Sequence, residues 1–201
     1  MKKNYRKTLT ACYLAFITQA ITANFVPLLF IKFHTDYNIS FGEIALIPIA
    51  FFLTQLFVDF FCARFVDAIG YRRSIIAAEI ASVIGLVGLA FIPDLFPAPL
   101  TGILICVVIY AAGCGLIEVL ANAIVEACPF EHKDSVMSML HSFYCWGSVG
   151  VILISSLFFT LLNDAPFLAG RSSLKWQNLK ITISFLKETE EVILFSILLL
   201  G

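Results

Sequence analysis

Five apolar runs, each about as long as the roughly 20 residues that a helix needs to cross a bilayer, occupy most of this chain. They cover residues 9–33, 44–66, 74–92, 100–127 and 136–162. Short polar segments separate them. The link 34–43 carries Asp36, Asn38 and Ser40, and 67–73 is a tight charged turn. Pro93, Pro97 and Pro99 break the chain before the fourth run, and 128–135 is a second charged loop. Of the 201 residues, 60% are hydrophobic and 13% charged, against about 25% charged in an ordinary soluble domain. One soluble core cannot bury that much apolar surface, whereas a bilayer can. The pattern predicts an all-α integral membrane protein, a multi-span helical bundle with the lipid bilayer as its first partner.

Charge is scarce, so its placement is informative. Lys2, Lys3, Arg6 and Lys7 precede the first run, Arg64, Arg72 and Arg73 flank the second loop, and Lys133 lies in the fourth. The first loop has only Lys32 at its edge, and the third has no basic residue. Lys and Arg are retained on the cytoplasmic side, which predicts a cytoplasmic N-terminus and a multi-pass protein of the cell's inner (plasma) membrane. The basic start resembles a signal peptide, but the first apolar run exceeds the ~7–15 residues of a signal core. It reads as a retained span.

Several function classes are disfavoured. A net charge of −1 gives no basic surface for nucleic acid. Cys12, Cys62, Cys106, Cys114, Cys128 and Cys145 form no CxxC pair and sit mostly within apolar runs. They read as packing residues rather than a metal site or a disulfide framework. An intramembrane protease would need a serine paired with histidine, or two facing aspartates. His141 has no evident mid-depth serine, and Asp59 no second aspartate. No enzyme activity and no cofactor is expected.

Polar side chains inside spans are costly, and ionisable ones usually face a bundle interior or wet cavity. The first span holds Gln19, Thr22 and Asn24, the second Thr54, Gln55 and Asp59, the third Glu79, and the fifth His141. In the fourth, Glu118, Asn122 and Glu126 recur at every fourth residue, so they share one helix face. Glu126 is near the end of the run, where a carboxylate can reach water. Glu118 is about 12 Å deeper by helix rise. There it is either a neutral acid satisfied by a neighbouring span or a substrate or proton site, since burial disfavours a charged carboxylate. The candidates for binding substrate or proton are therefore Glu118, Asn122, Asn24, Gln55, Asp59 and His141. Gly70, Gly85, Gly88, Gly113 and Gly115 suit close helix packing.

Residues 63–73, ARFVDAIGYRR, resemble the signature loop of the major facilitator superfamily, G-x-x-x-D-[RK]-x-G-[RK]-[RK]. Asp67, Gly70 and Arg72 match, and Arg73 adds a further base. Ala63, Ala68 and Tyr71 depart from the pattern. The fourth run, GCGLIEVLANAIV at 113–125, looks like the fucose:proton symporter branch, with Glu118 at that branch's proton-coupling position. The branch also carries an acid in its first span, where the nearest residue here is Asn24. The stretches 124–129 and 137–150 look like bacterial carriers of the same superfamily.

The resemblance, over residues 8–160, implies a secondary carrier of a small solute, with a tilt toward sugars and proton coupling, and a signature loop whose Asp67 pairs across helix ends. Such carriers have roughly twelve spans, two halves built from inverted repeats, with the substrate between the halves. The expected architecture is thus an incomplete N-terminal six-helix half, lacking its C-terminal half. Residues 163–201 are mixed polar and end in a short apolar run, read as an atypical tail or a truncated or frame-disrupted sixth span. The rival reading is a truncated, non-transporting membrane protein or a partner subunit.

Overall fold

A computed structural model describes residues 5–163, with the side chains of residues 63, 65, 67, 68 and 158–163 left aside. The elements are α1 (Tyr5–Leu28), α2 (Phe30–Tyr37), α3 (Phe41–Ile44), α4 (Leu46–Ile69) and α5 (Tyr71–Phe91), then a 3-10 turn (Ile92–Leu95), α6 (Pro99–Ala127) and α7 (Lys133–Asn163). Five helical stretches among the described residues are long and apolar enough to span a membrane: Tyr5–Tyr37, Phe41–Cys62, Tyr71–Leu95, Pro99–Ala127 and Lys133–Leu157. The all-helical, multi-span bundle read from hydropathy is the observed fold. The expected tail and sixth span at 163–201 lie essentially outside the described residues.

The boundaries differ where turn chemistry intervenes. The first span is expected to end at residue 33, but helix continues to Tyr37 after a break at Leu29. Pro27 lies in that last turn, and the Leu29 amide donates to the Val26 carbonyl at 2.9 Å, a tighter 3-10 closure. Asn38, at φ 53°, ends α2. Ser40 and Glu43 then form a reciprocal capping box. Helix lapses at Ala45, because the ring of Pro48 clashes with the carbonyl of Ile44.

The turn between the second and third spans is shorter than the 67–73 expected. Helix runs through Ile69 and resumes at Tyr71, leaving Gly70 alone, at φ 91° and ψ 140°. Only glycine takes such backbone angles readily, so one residue turns the chain. Its amide donates to the Val66 carbonyl at 2.8 Å, and its carbonyl accepts from the Ser74 amide at 3.2 Å.

Packing centres on α6, which lies against α5, α4 and α1, while α1 also carries α7. Small residues allow the closest approach. A methyl group at Gly85 would stand 2.6 Å from the Tyr110 amide nitrogen, and at Gly113 it would collide with Ser82 and the Ala78 carbonyl. Phe51 and Tyr110 pack with ring centroids 5.4 Å apart. The outward faces of α4 (Leu53, Leu56, Phe57, Phe60) and α7 (Trp146, Val149, Leu153, Ile154, Leu157) stay exposed. In water these patches would drive aggregation; in a bilayer they meet a medium as apolar as themselves.

Candidate functional site

Between α1, α4, α6 and α7 lies a cavity of about 400 Å³, within the size range of small-molecule sites. α1 contributes Gln19 and Asn24, α4 contributes Phe51, Phe52 and Gln55, α6 contributes Tyr110 and Glu118, and α7 contributes His141 and Tyr144. Phe30, Pro27 and Pro48 close part of the wall. Pro27 and Pro48 sit beside the helix breaks described above, so the same residues that interrupt regular helix also shape the wall.

The polar groups are held from different spans. The Gln19 side-chain amide donates to Glu118 Oε2 at 2.8 Å, across the α1–α6 interface. Asn24 Nδ2 donates to the Ala20 carbonyl at 2.8 Å and to Ser148 Oγ at 3.0 Å, tying α1 to α7. The Tyr144 hydroxyl joins Asn24 and Ser148 in this cluster. His141 sets its ring edge-on to Phe16, centroids 5.5 Å apart. Gln19 Oε1 is buried and has no hydrogen-bond partner among the described residues.

Four of the six candidate residues, Glu118, Asn24, Gln55 and His141, line the cavity. The other two do not. Asp59 lies on an exposed part of α4, near enough to feel the charge of Glu118. Asn122 is one turn past Glu118, its Oδ1 buried without a partner among the described residues. Glu126 pairs with Lys133 at 3.5 Å, and Lys133 Nζ also donates to the Glu126 carbonyl at 2.6 Å. The residues missed are Gln19, Tyr144 and Ser148. The spacing of His141, Tyr144 and Ser148 was the available signal, because positions three and seven apart share a helix face. Of the signature loop, Gly70 forms the turn and Arg72 and Arg73 lie exposed in the first turn of α5. Asp67 is in the last turn of α4; its expected pairing lies outside the described side chains. No cluster of metal-ligating residues occurs among the described residues.

Comparison with curated proteins and with solved structures gives no match. A family model, the Major Facilitator Superfamily, matches residues 11–179, somewhat beyond the 8–160 covered by the motif resemblance. Five span-length helices, with a cavity carrying several polar groups among four of them, accord with that match. This chain belongs to the Major Facilitator Superfamily, whose members are multi-pass membrane carriers of small solutes.

Proposed function

We propose that this chain forms the N-terminal bundle of a secondary carrier, that its cavity binds an uncharged or cationic small solute, and that Glu118 couples transport to protons. The observation that carries this reading is Glu118 itself, on the cavity wall and positioned by Gln19 at 2.8 Å. Aromatic rings and side-chain amides make up much of the rest of the lining, and neither Lys nor Arg contributes. An organic anion would face the Glu118 carboxylate there with no Lys or Arg to offset it and His141 as the basic side chain in the lining. A polyol suits the site: rings stack on its C–H faces and amides bond its hydroxyls. The likeness at 113–125 to the fucose:proton symporter branch agrees with that chemistry. A second, C-terminal bundle completes the carrier in this reading.

Ligand class is testable on the purified chain in detergent by thermal stability across a solute panel. Ligands that bind only the folded form stabilise it by mass action. Hexoses, polyols or organic cations should raise Tm, and matched organic anions should not. Stabilisation by anions alone overturns the assignment.

Orientation follows from the basic bias of tail and loops. In intact cells, on a cysteine-free background, single cysteines at 93–99 should react with an impermeant maleimide. Cysteines at 67–73 and 128–135 should react only after permeabilisation. Labelling of position 70 from outside would reverse the orientation.

A further inference from the structure

Glu79, on α5, plays no part in the cavity. It is 0% exposed, and both its carboxylate oxygens are buried with no hydrogen-bond partner among the described residues. Uncompensated burial of an ionised carboxylate costs far more than burial of the neutral acid. Leu would fill this space without burying unpaired polar atoms, so what Glu79 adds here is an exchangeable proton.

The surroundings supply a path. Ser82, one turn along α5, donates to the Ala78 carbonyl at 3.0 Å and lies within hydrogen-bonding reach of the Cys114 thiol on α6. The glycine at 113 makes this approach possible, since a methyl group there would collide with Ser82 Oγ. Cys114 precedes Glu118 by one turn on the same helix face, and the charges of both Glu79 and Glu118 act on it. Glu79, Ser82, Cys114 and Glu118 thus lie in succession across the α5–α6 interface, with no hydrogen bond from Glu79 to Ser82 in this conformation.

We propose that Glu79 is a second proton-binding site of the bundle, occluded in this conformation and linked to Glu118 by the Ser82–Cys114 row. The ligand is a proton. Transfer leaves one proton fewer on Glu79 and one more on Glu118, with no other co-reactant. The titratable groups facing this layer are Cys114, Glu118 and, a turn earlier, Tyr110 on α6, Cys62 and Asp59 on α4, and Tyr144 on α7. The buried polar residues of α1 near this depth, Thr18, Gln19 and Thr22, do not titrate, and α5 adds only Ser82. The link to Glu118 rests on the coupling role proposed above, but the protonation of Glu79 does not.

The test is infrared difference spectroscopy on the purified full chain, following the carbonyl stretch of protonated carboxylic acids against pH. Glu79→Gln should remove one such band present at neutral pH, and in the parent chain that band should disappear reversibly as pH rises. A spectrum unchanged by Glu79→Gln overturns the proposal. So does a Glu79 band that persists to the pH at which the chain unfolds, since that acid would be locked. Glu118→Gln should move the pH at which the Glu79 band is lost, and no movement removes the link. Should Glu79→Gln misfold, dicyclohexylcarbodiimide offers a second measurement, because it modifies protonated carboxyls in apolar surroundings. Peptide mass mapping of the parent chain should find Glu79 modified at neutral pH and spared at alkaline pH; an unmodified Glu79 at neutral pH overturns the assignment.

Discussion

Glu118→Gln should convert concentrative uptake by the complete carrier into simple equilibration. Glutamine keeps the length of the side chain, and its amide oxygen accepts the same bond that Gln19 donates at 2.8 Å in the parent chain. It cannot take up a proton. One pH unit across the membrane is worth about 1.4 kcal/mol per proton, enough to hold a solute gradient of roughly tenfold. Losing the coupling acid removes that factor while binding and exchange persist. Accumulation ratios in energised vesicles, with and without an ionophore, measure it directly. A variant that still accumulates solute at the parental ratio, with unchanged pH dependence, refutes the coupling role. Glu118 would then be a neutral acid satisfied by Gln19, and Asn24, Gln55 and Asp59 would become the next residues to test.

The helical spans were legible because their signal is local. About 20 apolar residues in sequence need no information about partners. The first span shows where that ends: hydropathy stops it at residue 33, yet helix persists to Tyr37, where Asn38 takes the left-handed conformation that ends it. The turn at Gly70 shrank for a related reason, since a composition of charged residues marks a loop but not its length.

The site was partly legible for the opposite reason. Glu118, Asn122 and Glu126 share a helix face, and spacing detects that. It does not say what the face meets. Across its length α6 passes from the cavity at Glu118, through packed protein at Asn122, to the helix end at Glu126. Gln19 meets Glu118 across 99 positions of sequence, a distance at which no periodicity connects two residues. Partnership between spans depends on which faces meet, and in this bundle that is set by small residues at the crossings rather than by the polar groups themselves.

That dependence sets the second large effect. Gly85→Ala should destabilise the bundle by about 1–3 kcal/mol, the usual range for forcing a carbon into a packed interface. The added methyl would stand 2.6 Å from the Tyr110 amide nitrogen and Cβ and 2.8 Å from the Cys106 carbonyl oxygen. These atoms belong to, or are anchored by, the α6 backbone, so no flexible side-chain end can give way and α5 must move off α6. Tyr110 lines the cavity and packs on Phe51, which makes solute binding fall together with stability. Gly150→Ala is the matched control, because nothing lies within 4 Å of its added carbon. There the better helix propensity of alanine, worth about 1 kcal/mol in soluble helices, should leave stability equal or improved. Unfolding of both variants in mixed micelles, scored against the parent chain, separates the two cases. If Gly85→Ala matches Gly150→Ala, the α5–α6 crossing is looser than its geometry requires. The positions of Tyr110, Cys114 and Glu118 must then be held chiefly from the α1 and α4 sides of α6.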